Sequence, residues 1–201
     1  MNRRVSVVLA LLVPAIAFGQ SSDPRLGRMP AAVRSSVAPV IDSANLIGLP
    51  IGPLIEKALE GSAKGASPDA IVAAVRSLAT ALAGARESLG APSTADELNA
   101  GAVALRLGAR REDLSRLRAA RSRGNLVVPL GVLSDLMARG VPTDTAARVI
   151  LALAAQADDE YLAFRRRVDR DIDLGAAPVG SVIGALNSSG RSALTTPGKK
   201  P

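Results

Sequence analysis

The clearest hydrophobic pattern in the chain lies between Pro53 and Leu89 and predicts two consecutive amphipathic helices. The segment from Pro53 to Lys64 places apolar side chains on one helical face. Its charged residues fall on the opposite face: Glu56, Lys57, Glu60 and Lys64. Gly65 is expected to end this helix in a left-handed conformation, and Ser67 to cap the next one. The apolar residues of that second helix alternate in steps of four and three: Ile71, Val75, Leu78, Leu82, Ala85 and Leu89.

The same arrangement of a helix, a glycine, a short turn and a second helix occurs twice more. The three predicted hairpins cover about 53–89, 95–122 and 129–156, and the glycines that close their first helices are Gly65, Gly108 and Gly140. Thr94 and Glu97 match a capping box at the start of the second hairpin. The spacing between the glycines is unequal, so both true repetition and the general likeness of short helical hairpins stay open as explanations.

The predicted helical domain extends over residues 32–175. A helix from about Ala32 to Leu46 precedes the hairpins, with Pro39 weakening its first half. A last helix over 159–173 is expected to follow a cap at Asp158. Residues 20–31 are expected to form a flexible lead-in, and residues 176–201 a disordered tail in which only 182–186 dock weakly.

The first nineteen residues have the order of a secretory signal peptide. Arg3 and Arg4 precede an apolar stretch from Val5 to Phe18, and small residues at Ala17 and Gly19 fit a cleavage site before Gln20. The apolar stretch is shorter than the roughly 20 residues that span a bilayer. A periplasmic or secreted product is therefore expected, with no transmembrane span in the mature chain.

Composition favours an all-α fold, either a bundle or a short stack of about three hairpins with a C-terminal helix. Alanine, the strongest helix former, occurs 37 times in the 201 residues. Cysteine and histidine are absent, which excludes thiol nucleophiles, disulfides, Ser-His-Asp triads and zinc sites of the Cys/His type. With Tyr161 and Phe164 as the only aromatics after cleavage, no stacking platform for nucleic acid is expected. No cofactor is expected either.

Two groups of carboxylates have spacings that resemble those of functional sites. Asp169, Asp171 and Asp173 have the initial spacing of a calcium loop, but Leu174 and Gly180 occupy the positions that need glycine and glutamate. Glu56 and Glu60 lie one turn apart, as an acid/base pair would, yet both belong to a charged helix face. Neither group is expected to bind a metal or to catalyse a reaction.

An arginine-rich segment offers the one candidate binding surface. Seven arginines lie between Arg106 and Arg123, against two acidic residues. When the hairpins are aligned on their glycines, Arg118 and Arg121 fall where the other two hairpins have apolar residues. The helix is therefore expected either to be rotated or to be less buried. The spacing of Arg111, Arg118 and Arg121 permits an exposed cationic stripe about 15 Å long.

The chain resembles exported, alanine-rich helical proteins of high-GC Gram-negative bacteria, through its composition and hairpin motifs. That resemblance implies a compartment and no mechanism. The leading hypothesis is a non-catalytic envelope protein that binds a protein or an anionic envelope component through a helical surface at Arg111, Arg118 and Arg121. The alternatives are a hydrolase that uses carboxylates alone and a carrier of a small apolar ligand.

The first prediction concerns cleavage of the leader. We expect the exported protein to begin at Gln20, because small residues at Ala17 and Gly19 fit the peptidase site. Mass spectrometry of protein collected outside the cytoplasm measures the terminus. Exported material that retains residues 1–19 would contradict the prediction.

Overall fold

The computed structural model describes residues 23–195, with side chains as far as Ser188. This part of the chain contains α-helices, turns, one short 3-10 helix at Pro24–Arg28 and no strand. The α-helices are α1 Ala31–Leu46, α2 Gly52–Ala63, α3 Pro68–Leu89, α4 Ala95–Arg106, α5 Arg111–Ala120, α6 Val127–Ala138, α7 Thr143–Ala152, α8 Asp158–Asp173 and α9 Pro178–Thr195. The predicted all-α fold is confirmed.

Helix α3 is the centre of the N-terminal half, because α1, α2, α4 and α5 all pack against it. The predicted apolar stripe of α3 is buried along its whole length. In the C-terminal half, α6 packs against α4, α7 and α8, and α9 lies on α8 and α7. The buried apolar residues form two separate cores. One lies within the N-terminal half, whereas the other extends from α6–α9 into that half and includes Leu89, Leu114 and Leu117. Leu105 of α4 packs against both cores.

The hairpin glycines adopt the left-handed conformation that the sequence predicts. Their φ angles are 69° at Gly65, 104° at Gly108 and 86° at Gly140. At the last of these, the Gly140 N–H donates to the Met137 carbonyl and the Val141 N–H donates to the Leu136 carbonyl, both at 3.0 Å. This is the Schellman pattern, which satisfies the last carbonyls of a helix. Gly65 and Gly108 have the same pair of bonds.

The C-terminal segment differs from the expected disordered tail over 176–201. Residues Pro178–Thr195 form α9, which packs against α8 and buries Val182 and Ala185. A helix rich in glycine and serine has little intrinsic stability and depends on such packing, which the sequence alone does not reveal. Residues 196–201 of the predicted tail lie outside the described residues.

The N-terminal lead-in expected over 20–31 also has structure from Asp23 onward. The Asp23 carboxylate accepts the N–H of Arg25 at 2.9 Å and caps the 3-10 helix. Leu26 and Met29 are buried in the N-terminal core. The start of α1 at Ala31 is therefore anchored, and Pro39 lies within an unbroken helix.

The predicted cap at Asp158 is wrong. Ala157 is the N-cap residue of α8, and it makes no side-chain capping bond. Asp158 is the first residue of the helix, and its carboxylate accepts a hydrogen bond from Arg121 Nη2 at 2.8 Å. The Asp158 carboxylate therefore accepts a hydrogen bond from a residue distant in the chain and does not cap the backbone of α8.

Among the described helices, α3 is long and apolar enough by composition to cross a membrane. In this fold, its buried positions face the helices packed around it. Its remaining surface is made largely of small residues: Ala73, Ser77, Thr80, Ala81 and Ala83.

We predict that Gly140→Val lowers the free energy of unfolding by about 1–2 kcal/mol, the cost of a left-handed conformation in a residue with a side chain. A Cβ atom added there would be 4.0 Å from Pro178 Cγ, so the loss has a backbone cause and no steric one. Urea denaturation measures it. Gly131→Val, inside α6 where a Cβ meets nothing within 4 Å, is the control and should not lower stability. Equal stability of Gly140→Val and the parent would contradict the assignment.

Candidate anion-binding site

Glu97 is a buried carboxylate held by donors from three segments of the chain. Its side chain is 4% exposed. Oε1 accepts from Arg118 Nη2 at 2.7 Å and from the Leu126 N–H at 2.9 Å, and Oε2 accepts from the Thr94 N–H at 2.9 Å. The predicted capping box is therefore present. It is also part of a larger polar network that joins α4, α5 and the start of α6.

The network keeps Glu97 ionised. Burial is the largest influence and opposes the charge. The hydrogen bonds from Thr94, Arg118 and Leu126 together outweigh burial and hold the pKa of Glu97 below its ordinary value of 4.5. The carboxylate therefore balances the charge of Arg118 at neutral pH and is not a proton donor.

Arg118 and Arg121 occupy inward-facing positions. Val75 and Leu78 in the first hairpin are buried, and so are Ile150 and Leu153, their counterparts in the third hairpin. The side chains of Arg118 and Arg121 are 16% and 12% exposed. Arg118 also donates to the Gly124 carbonyl, whereas Arg121 donates to the Gln156 carbonyl and lies 5.5 Å from the centre of the Tyr161 ring. At these two positions the guanidinium groups make internal polar contacts, whereas the other two hairpins have apolar contacts there.

The expected exposed stripe of Arg111, Arg118 and Arg121 is therefore not formed. Arg121 lies one residue beyond the end of α5. Arg111 and Arg118 lie seven residues apart on one side of α5, as predicted, but Arg118 is directed inward to Glu97 of α4. Arg111 pairs with Glu87 of α3 and remains about half exposed. Of the three predicted residues, Arg111 alone contributes to an open surface.

Arg111 lines a groove between α3 and the α4–α5 connection, and we call this the basic groove. Its volume is about 300 Å³. The polar side chains that line it are Ser77, Thr80, Arg106 and Arg111. Ala81, Leu105 and Ala109 supply apolar parts of the wall. Arg106 makes no side-chain hydrogen bond or ion pair with the residues whose side chains are described, 23–188, so its guanidinium is open to a ligand.

Gly84 allows Arg111 to lie against α3. A Cβ atom at this position would be 3.1 Å from Arg111 Nη2 and 3.3 Å from Cζ, which is tighter than ordinary contact. An interior glycine costs a helix about 1 kcal/mol relative to alanine. Its place in α3 is explained by the approach of the guanidinium group.

Glu56 and Glu60, the considered acid/base pair, lie on the exposed face of α2. Arg25 contacts Glu56 at 3.3 Å, and Glu60 pairs with Lys57 and Lys64. Hydrogen bonds from Lys57 and Lys64 lower the pKa of Glu60 to about 2. A carboxyl with this pKa holds no proton to donate at neutral pH. Among the described residues, no group of three or more acidic side chains has metal-binding geometry.

Comparisons of the chain with protein-family models, with curated proteins and with solved structures found no match. Function has to be inferred from the residues themselves.

Sequence reasoning identified Arg111 and the charge excess around it, but it missed Ser77, Thr80, Gly84 and the particular role of Arg106. Ser77 and Thr80 are ordinary small polar residues on a helix surface. Gly84 carried a usable signal, since some glycines inside helices mark the close approach of another element, although Gly131 does not. Which element approaches Gly84 depends on how α5 crosses α3.

We predict that Glu97→Gln lowers the free energy of unfolding by about 2–4 kcal/mol at neutral pH, because the buried Arg118 charge loses its partner. Stability from a lowered pKa is complete above the ordinary pKa and is lost as pH falls through the folded value. The difference between parent and variant should therefore shrink below about pH 4.5. Urea denaturation at pH 7 and pH 3 measures both effects.

Glu60→Gln is the control for that experiment. The pKa of Glu60 is also lowered, but its side chain is 44% exposed, so little stability should be lost. A loss of unfolding free energy in Glu97→Gln no larger than that in Glu60→Gln would contradict a stabilising role for the Glu97 network.

Proposed function

We propose that the protein is a non-catalytic, exported envelope protein that binds an anionic envelope component through a helical surface. The observation that carries the proposal is the basic groove, where Arg106 and Arg111 line one opening beside two hydroxyl groups. A guanidinium group recognises phosphate or carboxylate through two parallel hydrogen bonds. Two such groups around one opening favour an anion over a neutral ligand.

The two arginines differ in what they offer a ligand. Arg106 has no partner among the side chains of residues 23–188, so it binds an anion without breaking a contact in this part of the protein. Arg111 is paired with Glu87, and the two side chains are 54% and 64% exposed. Exchange of this ion pair for a ligand costs little, since exposed pairs contribute little stability.

Export is part of the proposal through the predicted signal peptide, which lies outside the described residues. The charge of the mature chain agrees with an anionic partner. Removal of residues 1–19 leaves 23 basic and 18 acidic residues. An acidic protein is the other partner that such a groove fits, and vesicles free of protein separate the two.

We predict that the chain from Gln20 onward, which includes every described residue, sediments with anionic phospholipid vesicles and not with neutral ones. Binding should fade at high salt, because exposed charges are screened. Arg106→Gln/Arg111→Gln should weaken binding about tenfold at low salt, through the loss of two exposed contacts.

Arg123→Gln/Arg148→Gln is the matched control, since it removes the same charge from exposed sites outside the basic groove. It should keep most of the binding. Equal weakening by both double variants would show that vesicle binding depends on net charge and not on the groove. Equal binding to anionic and neutral vesicles would overturn the proposal.

A further inference from the structure

A second groove runs along α3 beside the basic groove, and its walls are mainly apolar. It lies between α1 and α3 and has a volume of about 430 Å³. We call it the apolar groove. The apolar side chains that line it include Val40, Ala44, Ile47, Leu49, Ala79 and Ala83. Small-molecule sites have this character, with apolar walls and a few polar groups.

The two grooves meet at Thr80, which lines both of them. On α3, residues 76, 79, 80 and 83 line the apolar groove, and residues 77, 80, 81 and 84 line the basic groove. Spacings of three and four place each set on its own stripe, and the two stripes are neighbours on one helix. A ligand lying across Thr80 reaches both grooves.

The open end of the apolar groove has exposed apolar surface. Ile47 lines the groove and is 56% exposed, and its neighbour Leu46 is 73% exposed. Arg86 donates to the carbonyl of Ile47, and Gly48 turns the chain with a φ of 71°. The turn that carries Ile47 is therefore fixed before any ligand binds. Apolar surface beside a groove is typical of a ligand site.

Charge on the groove walls selects an anionic head group. Arg76 lines the apolar groove and makes no side-chain hydrogen bond or ion pair within residues 23–188. Arg106 and Arg111 lie across Thr80, and none of the described residues that line the two grooves is acidic. Thr80 already donates its hydroxyl to the Arg76 carbonyl, whereas the Ser77 hydroxyl has no partner in that range. Two guanidinium groups and one hydroxyl suit the three free oxygens of a phosphate monoester.

We infer that the protein binds a single-chain amphiphile with a phosphate monoester head, the head in the basic groove and the chain in the apolar groove. This inference rests on the proposed function and adds the chemical class of the ligand to it. Phosphate contacts orient the molecule, and burial of the chain supplies most of the affinity.

The test is calorimetric titration of the chain from Gln20 onward with butyl phosphate, octyl phosphate and the neutral octyl glucoside, each below its aggregation concentration. Butyl phosphate reports the basic groove. Octyl phosphate adds four methylenes, and each fully buried methylene tightens binding about fourfold. Since the groove is open on one side, we expect octyl phosphate to bind at least about tenfold more tightly than butyl phosphate.

Substitutions separate the two grooves. Ile47→Gln should reduce the advantage of octyl phosphate to about threefold or less, because a polar side chain then lines the apolar groove. Leu46→Gln, its exposed neighbour outside the groove lining, should keep the advantage. Arg106→Gln should weaken both phosphates by the same factor. Circular dichroism confirms that each variant is folded.

The outcomes distinguish this inference from the proposed function. Equal affinity for butyl and octyl phosphate, lost in Arg106→Gln, overturns the inference and leaves the basic groove as an anion site. Octyl glucoside binding as tightly as octyl phosphate also overturns the inference, since the phosphate head then has no role, whereas binding of butyl phosphate still reports on the basic groove. Absence of binding by all three compounds overturns the inference that the ligand is an amphiphile. The vesicle experiment decides the proposed function separately.

Discussion

The buried carboxylate of Glu97 is the constraint on which the arrangement of the middle helices depends. A buried charge is tolerated when it is paired and fully hydrogen-bonded, and loss of one partner is costly. The donors to Glu97 come from the start of α4, from Arg118 in α5 and from the start of α6. These three helices therefore cannot shift independently. Because α4 also contacts both apolar cores through Leu105, the same carboxylate fixes how the two halves meet.

The position of α5 determines which arginine side chains of the arginine-rich segment are buried and which are exposed. Arg118 is held at Glu97, and Arg111 lies two turns earlier on the same side of the helix, directed at Gly84 and Glu87 of α3. Hydrogen bonds to the Asp158 carboxylate and to the Gln156 carbonyl hold the side chain of Arg121 away from solvent. Arg106 and Arg111 remain at an opening between helices. The basic groove thus follows from an internal ion pair formed elsewhere.

The helices could be predicted from the sequence where local signals coincide. Apolar spacing, the Thr94–Glu97 capping box and the glycines Gly65 and Gly140 all act within a few residues, and the structure contains each feature. The failures concern contacts between distant segments. The packing of α9 on α8 and the inward direction of Arg118 are set by partners far away in the chain. Helical spacing identifies which residues share a face, but not what that face contacts.

The composition of α3 explains why grooves lie on both sides of Thr80. Large aliphatic residues occupy the buried stripe, whereas the positions that flank it are small: Ala79 and Ala83 are half-buried, and Gly84 is buried beneath Arg111. Small side chains leave space between α3 and its neighbours that longer ones would fill. The outer alanines add to the hydropathy of the buried aliphatic residues, and α3 as a whole is apolar enough by composition to cross a membrane. In a folded chain this apolar outer surface is available to a hydrocarbon chain, and the arginines beside it provide the charge that orients an anionic head.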